Sequence, residues 1–566
     1  MTVNEIIGRG IYRLVLRAGI ARGLMMMRRL EKQTADARRI NEETLMRILR
    51  CNETTELGKK WEMVTIRDVR TFQEKIPFTD FDFYYDWIQR MVDDGETGLI
   101  TNFPIIFFAV TSGATGISKR IPISKSTRKR FNDLAAYRAL AVMHRYYKQK
   151  TGKSYPVAKG FITLEAKKRK KWNHIGGITT LPVRTLLAFS KIGLSTPREV
   201  VEVREDMDTK YLKTLFALAE HDLLFIAGTF TSAYLEIFRM IEEKWEMFVA
   251  DIRSGTINPS VQVSDEMRAV LEKQLHADPE RADALQREFE KGFDTPIIPR
   301  IWKSFSFISG IGSAGFAVYT KELRKYAGDI PFDYAVFGAS EGLFAVCFEG
   351  NRDQFLMLPD SAFYEFLPVD PDDDRVYLID ELTPGKEYEL VVTNESGFCR
   401  YCIKDVIRVV EYRGQCPVVE FCYRRNQLLN AVGEKTSEAE AQTALKAFSE
   451  ETGCPVDDYC FYLDNSGKAP CYTVIIEQHA ADGTFDAEAC AECLEGHLAK
   501  LNRAYNYERK TGGLGPMKLR FTAVPFNARL KERRVAQGAS DNQLKPVHIA
   551  NTESKIKEIE NMLTKG

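Results

Sequence analysis

Apolar positions recur three and four residues apart in TLMRILR and DWIQRMV, and this spacing predicts that residues 1 to about 100 are mainly helical. GIYRLVLRAGIARGLMMMRRL shows the same spacing. Arg13, Arg17 and Arg22 interrupt it before about twenty apolar residues accumulate, so an amphipathic helix packed on the body of the protein is expected, not a leader or a membrane span. Lys125 to Lys150 predicts another long helix, ended by Gly152 and Pro156. Tyr211 to Ala250 reads as helix with a break at Gly228, and residues 260 to 295 as a charged, helix-rich stretch.

The pattern then shortens. FDYAVFG, FAVCFEG, FLMLP, YELVVTN and DVIRVVEY are β-branched or aromatic runs separated by Gly, Pro, Asn and Asp, which is strand and turn chemistry. Mixed helices and strands over the first 420 residues predict an α/β fold with a sheet core. A second unit begins near residue 430, where Ser437 and Glu440 can form a capping box for EAEAQTALKAFSEE. Strand-like YCFYLDN and CYTVIIEQ follow, then a helix from Glu488 to Tyr505 that leads to MKLRFTAVP and a basic tail segment. The expected division is residues 1–428 and 429–566, the second a small α+β domain.

Length agrees with more than one core, since 566 residues exceed what one domain ordinarily holds. Lys+Arg and Asp+Glu both count 79, so no global field favours nucleic acid or an anionic membrane. The run KKRKK, Lys167 to Lys171, is read as a solvated loop. Eleven cysteines without a regular framework point to reduced thiols in a cytoplasm. Cys490, Cys493 and His497 share one helical face, but a zinc site wants a fourth ligand and no second close pair is evident.

Candidate chemistry sits in four stretches. VTSGATGISKRIPIS, Val110 to Ser124, follows the apolar run IIFFA and is either a phosphate cradle of backbone N–H groups or a polar turn; Ser118 stands where a nucleotide P-loop needs glycine. FGASEG, Phe337 to Gly342, is a small-residue turn whose Glu341 can hold a divalent cation or a ligand hydroxyl, or else an ordinary hairpin. In GFCRYCIKDVIRVV, Asp405 opens a strand, suited to ribose hydroxyls or simply to a strand end. In NAVGEKTSE, Lys435 precedes a helix and can meet a phosphate or carboxylate, or lie exposed.

The order of these stretches resembles the acyl-adenylate-forming, firefly-luciferase-like superfamily, and more closely the auxin-responsive acyl-acid amido synthetase family, bacterial members included. ILRCNETTELGKKWEM and FQEKIPFTDFDFYYDWIQRM match that family's N-terminal pattern of Asn, Thr, Gly-Lys and F-x-x-x-I/V-P. TSGATGISKRIP matches its first nucleotide motif, with Thr111 and Ala114 for Ser and Thr; FGASE matches the second, with Phe337 and Ala339 as departures. GFCRYCIKD matches the third, keeping Arg400, Tyr401 and Asp405, while Cys402 and Lys404 stand where Arg and Gly are usual. VGEKTSE and GASDNQLKP match two later elements, except that Pro546 follows Lys545 directly.

The resemblance implies a large adenylate-forming domain with mixed sheets and helices, a small mobile C-terminal domain, ATP and Mg²⁺ as cofactors, and a small carboxylic acid and an amine as substrates. It implies a cytoplasmic monomer with no nucleic-acid or integral-membrane partner. ATP would be bound by Thr111, Ser112, Gly113, Ala114, Thr115, Gly338, Ala339, Ser340, Asp405 and Arg424, with Lys119 adding charge and Glu341 holding Mg²⁺. Lys435, Lys545 and Glu341 would be catalytic, and Arg424 to Asn430 a hinge. The alternatives are an acyl-CoA synthetase and a catalytically degenerate nucleotide-binding relative.

Overall fold

The structure is a computed structural model that describes residues 3–111, 119–155, 159–164, 175–176, 193–203, 207–312, 317–350, 352–370, 372–425, 428–432, 434, 436–467, 469–478, 485–536 and 544–564. The chain forms two compact units, Met1–Ile403 with Arg408–Glu420, and Lys404–Ile407 with Phe421–Gly566.

The first unit opens with helix Val3–Gln33, which buries Leu16, Ile20, Met27 and Leu30 on one face, as their spacing requires. No helix among the described residues is long and apolar enough to cross a membrane. Helices Ala37–Asn52 and Phe81–Asp93 follow, and the latter starts where Asp80 accepts the Phe83 N–H. Strands Ile105–Thr111 and Lys119–Ser124 pair antiparallel, so the two ends of the intervening loop lie side by side. Ser124 caps helix Lys125–Asn132, and a π-helical turn, Asp133–Arg138, joins that helix to Ala139–Thr151. Gly152 ends the run at φ +68°, while Pro156 lies outside the described residues.

The expected helix from Tyr211 to Ala250 is corrected. It is helix Thr209–Ala219, strand Leu223–Phe230 and helix Thr231–Ser254. The strand is central in a four-stranded parallel sheet with Lys159–Ile162, Phe307–Ile311 and Phe332–Asp333. Strands of parallel sheets are covered on both faces and lose the alternation that identifies them in sequence. Gly228 is explained by packing, since a Cβ there would come 2.0 Å from Thr163 Oγ1. Leu223, Ile226, Phe230, Tyr234 and Phe238 belong to the core of this layer.

A second sheet has seven strands in the order Phe363–Pro368, Glu387–Thr393, Tyr401–Arg413, Cys416–Arg424, Phe355–Met357, Gly342–Cys347, Val336–Ala339. The second unit has its own four-stranded sheet, ordered Lys518–Thr522, Cys471–Glu477, Asp458–Asp464, Ile549–Ala550. Helix Glu438–Thr452 carries the expected capping box of Ser437 and Glu440. The single helix expected from Glu488 to Tyr505 is instead Ala487–Leu501 and Arg503–Thr511, because the Asn502 side chain accepts the Tyr505 N–H and starts a new helix.

One buried ion pair joins the layers of the first unit. Arg138 donates to Asp333 Oδ1 at 3.0 Å and to the Cys347 carbonyl at 2.9 Å, with Arg138 1% and Asp333 0% exposed. Arg138→Ala would strand the Asp333 carboxylate, and the expected loss is about 3–5 kcal/mol of stability, read from the denaturant midpoint of the first unit.

Candidate active site

FGASEG forms a β-hairpin: strands Val336–Ala339 and Gly342–Cys347 pair antiparallel, with Ser340 and Glu341 in the turn. Gly338 is exposed; a Cβ there would lie 2.8 Å from the Gly342 carbonyl oxygen, so the tight turn needs glycine. Phe337 anchors the hairpin from below, packing on Phe344 and Phe355. Glu341 is half-buried and oriented from two sides. Its carbonyl accepts from Asn394 Nδ2 at 2.8 Å, and its Oε1 accepts from the Tyr401 hydroxyl at 3.3 Å.

Asn394 begins a buried polar turn, Asn394–Gly397, that sequence reasoning passed over. The Ser396 N–H donates to Asn394 Oδ1 at 3.0 Å, and Ser396 Oγ donates to the Pro122 carbonyl at 2.6 Å. Glu395 accepts from Ser124 Oγ at 2.9 Å and from Arg47 at 2.7 Å. The same turn therefore holds the hairpin tip on one side and strand Lys119–Ser124, which ends the first motif, on the other. Its signal in sequence is a polar TNES run placed directly after the apolar strand YELVV.

Thr111 ends strand Ile105–Thr111, paired with Lys119. Ser112, Gly113, Ala114 and Thr115 lie outside the described residues, as does Lys435. Lys119 stands with its ammonium 5.0 Å from the centre of the Phe81 ring, a cation–π contact. Gly338, Ala339, Ser340 and Glu341 are brought together by the hairpin.

Beneath Tyr401 lies the F-x-x-x-I-P segment. Thr79 pairs with the third motif: its N–H donates to the Arg400 carbonyl and its own carbonyl accepts from the Cys402 N–H, both at 2.9 Å. Arg400 is buried, donating to Glu365 at 3.0 Å and to the Ile76 and Gln73 carbonyls at 2.9 and 3.0 Å. Phe398 stacks on the Tyr401 ring at 4.6 Å. The described ends of the first motif, the second motif, Gly397–Ile403 of the third and the N-terminal pattern thus belong to the first unit.

The remaining candidates belong to the second unit. Asp405 does not open a strand, as expected, but lies inside Tyr401–Arg413. Within that strand Lys404 takes φ +68°, a left-handed backbone that a glycine would adopt without strain. Asp405 is buried and accepts from Arg424 Nε at 2.6 Å. Lys545 is exposed, yet the protein crowded around its ammonium, and then the Arg424 guanidinium, lower its pKa; the Asp405 and Glu438 carboxylates oppose them. Glu438 also takes one side of His548, whose Nδ1 lies 2.8 Å from it and whose Nε2 lies 3.1 Å from Asp458. Burial disfavours the imidazolium, but these two carboxylates prevail and bring His548 up to about 9. Next to Lys435, Glu434 is buried and accepts the Ala431 and Val432 N–H groups at 2.7 and 2.9 Å and the Tyr472 hydroxyl at 2.9 Å.

Comparison with known proteins matches residues 26–332 to the GH3 family N-terminal domain, 355–424 to the GH3 family central domain and 439–554 to the GH3 family C-terminal domain. The chain is 28% identical over 548 residues to a probable indole-3-acetic acid-amido synthetase, GH3.1, of Arabidopsis thaliana, covering 93% of this chain and 91% of that one. It is 27% identical over 546 residues to the jasmonoyl-L-amino acid synthetase JAR6 of Nicotiana attenuata, covering 91% of each. Among solved structures, the GH3.15 acyl acid amido synthetase superposes with a TM-score of 0.82 at 22% identity, over 94% of this chain and 95% of that one, so the fold is shared.

Two outcomes are expected from this geometry. Lys404→Gly removes the left-handed strain and raises stability by up to about 1 kcal/mol in chemical denaturation. His548 binds its proton more tightly folded, about 9 against 6.5, so its contribution is full below about pH 6.5 and is lost as pH rises through about 9. The denaturation midpoint of the second unit should fall across that window, and His548→Gln should flatten the fall.

Proposed function

The chain belongs to the GH3 family, and from that membership we propose that it is an ATP-dependent acyl-acid amido synthetase, a ligase that forms an amide bond through an acyl-adenylate. A carboxylate oxygen attacks the α-phosphorus of ATP; the bond to the β-phosphate oxygen breaks and pyrophosphate leaves. The amine of an amino acid then attacks the acyl carbon, AMP leaves, and the amine gives up a proton. The observation that carries the reading is the shared turn Asn394–Gly397, which bonds both the hairpin tip at Glu341 and the strand that follows the first motif.

Bringing a carboxylate to a polyphosphate sets anion against anion, so the first step needs donors and cations fixed in advance. In the first unit, Thr111, Ser112, Gly113, Ala114 and Thr115 wrap the phosphates, with Lys119 beside them, and Gly338, Ala339 and Ser340 lie along adenine and ribose. The Glu341 carboxylate is a hard oxygen donor of the kind Mg²⁺ takes together with substrate phosphates, and Mg²⁺ would neutralise charge there. Tyr401 orients that carboxylate by its hydrogen bond. In the second unit, Asp405 accepts from the ribose hydroxyls while Arg424 fixes its orientation. Lys435 and Lys545 supply positive charge to the transferring oxygens, and Arg424 to Asn430 serves as the hinge between half-reactions. None of the eleven cysteines forms a disulfide, which suits a reducing cytoplasm.

The test is acid-dependent ATP–pyrophosphate exchange across small aromatic, aliphatic and jasmonate-like acids, followed by product analysis with an amino-acid panel and with CoA. Exchange with at least one acid and an amide product are expected. Glu341→Gln should lower exchange about 10²–10³-fold. Asp405→Ala should raise the KM for ATP, and Lys545→Ala should slow exchange at saturating ATP. A thioester made from CoA in place of an amide would overturn the amide assignment. ATP binding without exchange would mark a non-catalytic relative, and parental rates in both Asp405→Ala and Lys545→Ala would overturn the roles given to them.

A further inference from the structure

Helices Glu438–Thr452 and Ala487–Leu501 pack against each other in the second unit, and a group of side chains across them has no part in the adenylation chemistry. Cys493 and His497 are four residues apart on one helix, so they share a face. Glu451, in the last turn of the other helix, faces them. The Cys493 thiol, the His497 imidazole and the Glu451 carboxylate each place a ligand atom within 4.8 Å of the others, the one such group among the described residues. His497 Nε2 stands 2.9 Å from Glu451 Oε2. Cys493 and His497 are half-buried and Glu451 is exposed, so the group opens to solvent on one side. Gly496, beside it, leaves that approach clear: a Cβ there would meet nothing within 4 Å. Cys490, which the sequence placed on the same face, is buried and stands outside the group.

We propose that Glu451, Cys493 and His497 form a binding site for a borderline divalent cation of the Zn²⁺ type. A sulfur, an imidazole nitrogen and a carboxylate oxygen are the donors that Zn²⁺ combines in tetrahedral sites, and three protein ligands leave a fourth position for water. A thiolate and an imidazole select against Mg²⁺ and Ca²⁺, which take oxygen donors, so this site does not compete for the Mg²⁺ of the ATP reaction. On binding, the Cys493 S–H bond breaks, its proton goes to solvent, and the sulfur bonds the metal with no change of oxidation state. The ion would fasten the end of helix Glu438–Thr452 to helix Ala487–Leu501.

The full-length protein, held reduced, is titrated with Co²⁺ and then with Zn²⁺. One equivalent of Co²⁺ should give thiolate-to-cobalt charge-transfer absorption in the near ultraviolet and tetrahedral bands in the visible, both removed by Zn²⁺. Cys493→Ser should abolish the charge-transfer band, whereas Cys51→Ser, on the first unit, should leave it intact. His497→Gln and Glu451→Gln should each weaken Co²⁺ binding by more than about tenfold, since even outer-shell changes at metal sites cost 10- to 100-fold. Zn²⁺ should raise the Tm of the parent but not of Glu451→Gln, an exposed position where the fold tolerates the change. No saturable band in the parent, or an unchanged band in Cys493→Ser and His497→Gln, would overturn the site.

Discussion

Arg400 is buried with its guanidinium divided between Glu365 and the carbonyls of Gln73 and Ile76. A charge in that position survives only if every donor finds a partner, and these partners come from two distant parts of the chain. The arginine therefore fixes the N-terminal F-x-x-x-I-P segment against the third motif. Once that register is set, Thr79 pairs with Tyr401 as a short parallel bridge, and Tyr401 is held with its hydroxyl toward Glu341. Glu341 is oriented by a chain of contacts whose origin is a side chain with no chemistry of its own.

The same segment stores backbone strain. Arg400 and Lys404 both take positive φ, at +44° and +68°, a region that costs an L-residue roughly 1–2 kcal/mol. Neither is glycine, so the surroundings must hold them there. For Arg400 the holding force is visible in its buried hydrogen bonds. At Lys404 the left-handed residue lets the strand pass from Tyr401 to Asp405 and face Asp405 toward Arg424. The departure from glycine at this position thus keeps the backbone geometry while giving up its ease, and the third motif survives as a shape although two of its letters have changed.

Much of this was legible in the sequence, and the misses have physical causes. Periodicity found the first helix, the capping box at Ser437 and the strands around FGASEG, because each has one wet and one dry face or a side-chain cap that local sequence encodes. It failed at Leu223–Phe230, a strand covered on both faces. Motif order singled out Glu341 and Asp405 and passed over Asn394, Glu395 and Ser396. Glu395 and Ser396 act through bonds to Arg47, Ser124 and Pro122, more than 250 positions away in the chain, and Asn394 through one to Glu341, 53 positions away; no local pattern announces such partners.

In the second unit the charges around Lys545 come close to cancelling. Arg424 and Asp405 pair, and a protonated His548 sits between Glu438 and Asp458, leaving Glu438 to act on both the imidazole and the lysine. Taking the proton from His548 would leave the Glu438 and Asp458 carboxylates without the cation between them. Crowding, and then Arg424, lower the pKa of Lys545. A polyphosphate brought beside it would raise its affinity for the proton. Of that stabilisation, the part already present with bound ATP would lower KM, and only the part that grows as charge builds on the transferring oxygens would raise the rate.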